Sequence, residues 1–512
     1  MKPSFAQLAV ALAVLVLAVF GRACAHDFVQ FDDPQTIATN RAFDPPTFSS
    51  VAGYWTHSAE KLYIPVTYNV WGALALLAHI DRADEMGSRL NPWVFHTANV
   101  ALHMASSLLA LAVLLRLTGS PIAAFVGAAI FAVHPIQVEA VAWASGTKDL
   151  LCGAFSLGSI YCLLRSRHHP SERQWLIAGT GALLLALLSK PTAVVTPLIA
   201  IAIDVLTLRT PWRRSIATLW PWLVLVVPFI IIGRLIQPPI VAKLPPLWVR
   251  PLIAADALAF YVWKLVWPFN LGLDYGRTPA RAMAHGWLYV TWVAPMAIAI
   301  AILFMRRRAP MVFAGALIAL IAVLPVLGLI PFTFQSISTV ADHYAYLSMF
   351  GVGLVVTVII DRCDALWLRV LAIALIAALS LRAFEQAGHW RNSETLFTHA
   401  LEVNPESAMS LTNLAVDRAQ HGDRTAALHL LEQAVVADPD YGFARVDFAQ
   451  LLVRAGRLDE AAEQYRELLR IYKSQRNADP QLAAKAEAAY EALIARARAA
   501  GSATTTRWQD YP

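Results

Sequence analysis

Between Phe5 and Ala383 the sequence returns repeatedly to predominantly apolar stretches of 16–24 residues. About 20 apolar residues in a helix cross a hydrocarbon core, so runs of this length predict membrane spans. Of 512 residues, 58% are hydrophobic and 15% charged, far from the balance of a soluble domain. Beyond about residue 384 the chain becomes charged and rich in Ala and Leu. The fold class this predicts is all-α: a polytopic helical membrane domain over 1–384, then a helical-repeat domain. The membrane part carries an external loop over 24–91. Repeats fill 385–475, and a capping helix with a tail fills 476–512.

Eleven spans are predicted, at roughly 5–23, 92–115, 121–137, 149–165, 174–189, 192–208, 215–236, 286–305, 312–331, 344–361 and 366–384. Two further apolar stretches, 63–80 and 251–269, carry Trp and Tyr and suit the membrane interface. With both kept out of the span count, Arg116, Arg165, Arg167, Arg209, Arg213, Arg214, Arg306, Arg307, Arg308, Arg362 and Arg369 share one side with Lys2. The bias of Lys and Arg toward the cytoplasm makes that side internal. The repeats and the loop after the first span then lie outside. The net charge of +6, from 41 basic and 35 acidic residues, resides largely in these arginines. It therefore points to membrane orientation and not to nucleic acid.

The first run, ending in Ala23-Cys24-Ala25, has features of a signal peptide. Its length favours an uncleaved helix, and residue 26 emerges on the far side in both cases. The four cysteines, Cys24, Cys152, Cys162 and Cys363, show neither metal-ligand spacing nor a disulfide framework.

The C-terminal region repeats with a period of 34. Pro405 pairs with Pro439, Ala415 with Ala449, Gly422 with Gly456, and Ala427 with Ala461. This is the tetratricopeptide spacing, in which small residues let two helices pack closely. About 2.5 repeats are present, with Trp390–Pro405 as a preceding half-unit and 481–499 as a cap. Such stacks hold proteins or peptides, or serve as spacers and assembly platforms.

No Walker loop, Gly-rich dinucleotide turn or H-E-x-x-H motif occurs, which disfavours an ATPase or a zinc peptidase. Polar residues instead gather at the external ends of spans. Asp32 and Asp33 follow the first run; such a pair acts as general base, binds a divalent ion, or begins a short helix at Pro34. The run HPIQVEAVAWASGTKDLL places His134, Glu139, Lys148 and Asp149 between two spans. Ionisable groups at membrane depth are costly and face a cavity or a partner. Lys148 or His134 suits a phosphate, and Lys148-Asp149 also suits an interfacial turn. Lys190, in Ser189-Lys190-Pro191, binds an anionic head group or snorkels. Arg234 stands at an outer span end, where a bidentate phosphate contact would explain it. His343 and Tyr344 start a late span, where Tyr is also ordinary interfacial material. Together these suit transfer chemistry on a lipid-linked phosphate at the membrane surface, with Lys or Arg holding the phosphate and Asp activating the acceptor. Charges clustered at one face argue against a transporter, which needs them near the midplane.

HPIQVEAVAWASGTKDLL closely resembles a hallmark of the transmembrane-and-tetratricopeptide O-mannosyltransferase-like proteins. The Asp32-Asp33 loop, NPWVFHTANVALHM, Ser189-Lys190-Pro191 and ADHYAYL have counterparts in the same order, and the resemblance covers nearly the whole chain. That family is similar to the C-type glycosyltransferases, which use polyprenyl-phosphate sugars. The resemblance implies Asp32 or Asp33 as catalytic carboxylate and Lys148, Lys190 and Arg234 as lipid-phosphate ligands. Glu139, His134, Asp149, His343 and Tyr344 would complete the substrate site. A divalent cation, Mg or Mn, on Asp32 and Asp33 is a further expectation. Two departures stand out: the family often has SKE where Ser189-Lys190-Pro191 occurs, and D-R-Y where Asp342-His343-Tyr344 occurs. The expected protein is an integral enzyme of a bacterial inner or plasma membrane. It would move a sugar, mannose first among them, from polyprenyl phosphate to a hydroxyl, with the repeats presenting a protein acceptor. The rival is a non-catalytic tetratricopeptide scaffold.

Overall fold

The computed structural model describes residues 3–84, 87–167, 171–236, 244–363, 365–474 and 480–499. Among these residues regular structure is helical throughout, and extended pairing is limited to isolated bridges. The expected tail from residue 500 and the 475–479 segment lie outside the described residues.

Among the described residues five helices are long and apolar enough to cross a membrane: Phe5–Ala25, Pro92–Thr118, Trp212–Ile236, Leu288–Met305 and Leu366–Gly388. A sixth candidate, Pro121–Val133 with Pro135–Ala142, is bent by 50°. The chain is thus a multi-pass membrane protein. Other apolar runs are helical but interrupted. Pro65–Ala78, Pro191–Leu206 and Pro310–Val326 are shorter apolar helices. Thr147–Ser166, Glu172–Ser189 and Ser348–Arg362 carry polar groups within them. Among the described residues, length and composition thus mark six of the eleven predicted runs as candidate spans, counting the bent pair as one.

Proline makes these breaks, because it removes a backbone donor and clashes with the preceding turn. It stands at the first turn of Pro65–Ala78, Pro92–Thr118, Pro121–Val133 and Pro310–Val323, where a missing N–H costs nothing. Asn91 caps Pro92–Thr118 by accepting from Trp93 N, and Gly119 ends it in the left-handed region with φ 70°. The two stretches expected at the interface form Pro65–Ala78 and Arg250–Val266. Pro65–Ala78 packs on Pro92–Thr118 and Glu172–Ser189, burying Tyr68 and Trp71.

Glycine sets the central crossings. Ser348–Arg362 packs on Pro121–Val133 and on Pro310–Val323. A Cβ on Gly127 would overlap the Gly353 carbonyl and the Thr357 hydroxyl. One on Gly351 would overlap the Gly315 carbonyl. Such close backbone approach is how helices pack in lipid, where burial supplies little drive. The Thr147–Ser166 helix runs between two chemical ends. Lys148 and Asp149 open it, and Arg165 closes it over the Trp175 ring. Arg167, just beyond, grips Asp204, and Arg362 reaches the Arg308 carbonyl.

The repeats form antiparallel pairs, Ala408–Gln420 with Arg424–Ala437 and Gly442–Arg454 with Leu458–Ser474, preceded by Ser393–Val403 and followed by Pro480–Ala499. Ala415, Ala427, Ala449 and Ala461 are fully buried in one cluster, so the 34-residue period becomes a packing seam. Gly422 and Gly456 take φ 87° and 77° in the tight turns between helices. The stack lies against the membrane part. Asp27 N donates to the Arg391 carbonyl, Gln30 N to Ser393 Oγ, and Gln386 and His399 both bond the Leu271 carbonyl. Repeats and Asp32 loop therefore occupy the same end of the molecule.

Candidate active site

The loop after the first helix makes one π-helical turn at Pro34–Ala38, with Asp33 flanking it. A turn at Pro34 fits the sequence, but the Asp33 carboxylate does not cap it. It turns inward instead. Oδ2 accepts from Val29 N at 3.0 Å, and Oδ1 accepts from Ser145 N at 3.0 Å and Ser145 Oγ at 2.6 Å. Asp33 is fully buried, and burial raises its pKa to about 6 against the pull of those hydrogen bonds.

Asp32 points the other way. Its carboxylate is 43% exposed and accepts from Lys148 Nζ at 3.3 Å. Two adjacent aspartates thus serve different ends, as backbone alternation in a loop allows. The placement corrects the expectation that either could be the base: Asp33 has both oxygens committed, and Asp32 alone faces the site. It also corrects the paired metal site. Asp33 has no oxygen to offer, and among the described residues no group of three or more His, Cys, Asp or Glu could hold a metal ion.

The turn Trp143–Thr147 is clamped from two sides. Asp33 holds Ser145, while Asn99 Nδ2 donates to the Trp143 carbonyl at 2.7 Å and Asn99 Oδ1 accepts from Thr147 Oγ1 at 2.7 Å. Gly146 is required here, since a Cβ would run into the Ala140 carbonyl. The clamp aims Lys148 at Asp32, with its Nζ 4.3 Å from the centre of the Trp143 ring. Next in sequence, Asp149 Oδ1 accepts from Lys190 Nζ at 2.5 Å. Pro191 ends the preceding helix at that point and leaves Lys190 extended. Lys190 Nζ also lies 5.6 Å from the Tyr344 ring centre.

Glu139 holds His343. One oxygen accepts from His343 N at 2.9 Å, and the other lies 2.8 Å from Nδ1. The imidazole sits outside the spans, in a short turn before Ser348–Arg362. Burial, with Lys190 next, lowers its pKa to about 3, so it is neutral. Asp32, Lys148 and Asp149 also act electrostatically on it, which places the whole cluster in one neighbourhood.

Two expected members stand elsewhere. His134 is buried and spent on backbone: Nδ1 accepts from Ile136 N, and Nε2 donates to the Leu265 carbonyl, each at 3.2 Å. It fixes the bend at Pro135 and has no nitrogen for phosphate. Arg234 is exposed near the end of Trp212–Ile236, with no ion pair among the described residues. Nothing ties it to the cluster. Conversely, sequence reasoning missed Ser145, Asn99 and Tyr275, whose hydroxyl donates to Asp342 Oδ1 at 2.8 Å. Ser145 and Asn99 carried a signal, by lying in the WASGTK and NPWVFHTANVALHM runs, whereas Tyr275 carried none.

These features meet independent likenesses. The family model described as dolichyl-phosphate-mannose-protein mannosyltransferase matches residues 91–236, and a tetratricopeptide repeat model matches 418–497. The chain is 26% identical over 504 residues to Protein O-mannosyl-transferase TMTC4 of Mus musculus, covering 84% of this chain and 66% of that protein. It is 24% identical over 439 residues to Protein O-mannosyl-transferase F38B6.6 of Caenorhabditis elegans, covering 81% and 60%. The chain is similar to these proteins. It spans about two thirds or less of the length of these relatives. ArnT from Cupriavidus metallidurans, solved in the apo state, aligns over 91% of this chain and 80% of its own, at 17% identity and TM-score 0.39.

Proposed function

We propose that the chain is an integral-membrane glycosyltransferase that moves a sugar from a polyprenyl phosphate to a hydroxyl of a protein acceptor. One observation carries this. Asp32, from the first loop, and Lys148, 116 residues later, meet at one end of the helical bundle, beside a second lysine, Lys190. A base beside cations suits displacement of a phosphate leaving group by an alcohol.

In this reading Asp32 takes the proton of the acceptor hydroxyl. The acceptor oxygen bonds to the anomeric carbon as the bond from that carbon to the phosphate oxygen breaks. Lys148 and Lys190 balance the charge that returns to the phosphate. The relatives named as protein O-mannosyl-transferases support mannose as the first sugar to try. Repeats docked at the same end suit presentation of a protein acceptor there, and the arginine bias of the opposite loops supports an extracytoplasmic place for that end.

The test compares Asp32→Asn with Lys190→Ala in detergent-purified protein given polyprenyl-phosphate mannose and acceptor peptides. Asp32→Asn should cut transfer at least 100-fold with donor binding retained, as expected for loss of a general base. Lys190→Ala should weaken donor binding itself. Unchanged transfer by Asp32→Asn would reject the role.

A further inference from the structure

Five buried carboxylates among the described residues accept hydrogen bonds on both oxygens. Asp33 accepts on both oxygens, from Val29 and Ser145. Asp204 takes Arg167 on both and adds Thr210. Asp256 takes the Arg277 guanidinium on both, and Asp274 takes Gly276 on one oxygen and Ser407 on the other. Glu139 spends both on His343. Asp149 differs. It is 6% exposed, its Oδ1 accepts from Lys190, and its Oδ2 is buried with no hydrogen-bond partner among the described residues. A buried ion pair is stable only when its remaining lone pairs are satisfied, so an open carboxylate oxygen is an acceptor awaiting a donor.

The surroundings say what donor fits. Asp149 lines a cavity of about 20 Å³ with Cys152, Lys190, Thr192, His343 and Tyr344. That is room for one water-sized group. A phosphate is too large and carries the wrong sign for a carboxylate oxygen. A single hydroxyl matches both the size and the donor requirement. The recess also adjoins Lys190, placed above as a phosphate ligand, so a sugar joined to that phosphate would carry hydroxyls within reach.

We infer that Asp149 Oδ2 is a specificity element that accepts a hydrogen bond from one hydroxyl of the donor sugar, seated in the recess between Lys190 and His343. This rests on the lipid-linked sugar donor proposed above. A site built to bind a hydroxyl discriminates strongly against an analogue lacking it, because the buried acceptor is then left unpaired. Ser189-Lys190-Pro191 gains a meaning here: Lys190, without an acidic neighbour in sequence, takes its counter-charge from Asp149 and orients it.

The experiment measures binding to purified full-length protein of four probe classes. These are short-chain polyprenyl-phosphate mannose, its singly deoxygenated analogues, bare polyprenyl phosphate, and free mannose. The expected result is that one deoxy analogue binds roughly 10- to 100-fold more weakly than the parent, the range of a hydrogen bond to a charged group. Asp149→Asn should then remove the discrimination between the parent and that deoxy analogue. Equal binding of every deoxy analogue to the unmodified protein would overturn the inference, with a resident water as the sole partner of Asp149. That series needs no variant, so it decides the matter even where Asp149→Asn fails to fold. Failure of both the parent and bare polyprenyl phosphate to bind would instead remove the lipid-linked donor, and the inference with it.

Discussion

Asp33 shows how far two neighbouring residues of one type can diverge. Its carboxyl is buried on three hydrogen bonds, and its pKa is raised from 3.8 to about 6. A raised folded pKa means the folded state holds the proton more tightly than the unfolded one. The associated stability is complete below the unfolded value near 4 and is lost as pH rises to about 6. The loss amounts to about 3 kcal/mol, at 1.36 kcal/mol per unit. Thermal melts of purified protein should therefore show this contribution falling between pH 4 and 6, and Asp33→Asn should flatten that slope. An unaltered slope would place the titrating group elsewhere. Asp33→Asn also sets an amide N–H against Val29 N or Ser145, so it should lower stability at pH 4, where Asp33 is protonated. The sequence disclosed that an acidic pair lies here. It did not disclose which member is buried, because that depends on Ser145, 112 residues away.

Among the helices, the sequence showed where apolar segments lie, since hydropathy is local. It did not show which are broken, nor that Ser348–Arg362 crosses both Pro121–Val133 and Pro310–Val323. Crossings are set by partner surfaces, and glycine in an apolar run looks the same at a crossing as on a lipid face. Gly158 and Gly181 have open space at their Cβ positions, whereas Gly127 and Gly351 do not. This contrast is testable. Gly127→Val and Gly351→Val should each destabilise the bundle beyond the 1–3 kcal/mol usual for overpacking, because the obstacle is backbone. Gly181→Ala, with room available and better helix propensity, should be neutral or stabilising. Melting temperature and the fraction surviving size exclusion in detergent would read both; equal effects at the three positions would refute the close crossings. The tetratricopeptide seam was the most legible element, because a 34-residue period writes its small residues into fixed places.

At the scale of the whole molecule, the repeats are wired into the membrane part rather than tethered to it. Asp274, 4% exposed, accepts from Ser407 Oγ at 2.6 Å and Asn404 Nδ2 at 3.3 Å. The adjacent Tyr275 donates to Asp342, whose neighbour His343 is gripped by Glu139. Trp390 lies 6.3 Å, ring to ring, from Trp143, the residue under Lys148. None of this was legible in sequence, where the loop 267–278 shows no period and no motif. A repeat domain acting only as a distant adaptor could be removed without loss to the rest. Here removal strips partners from Asp274 and the Leu271 carbonyl and uncovers Trp143. Residues 1–384 alone should therefore melt several degrees below the full chain. The single substitution Asp274→Leu should reproduce part of that drop and speed limited proteolysis between 384 and 408. If the truncated and full chains melt together, the contacts are incidental and the repeats act as an independent module. A drop confined to the truncation, absent in Asp274→Leu, would move the coupling to the Trp143–Trp390 contact instead.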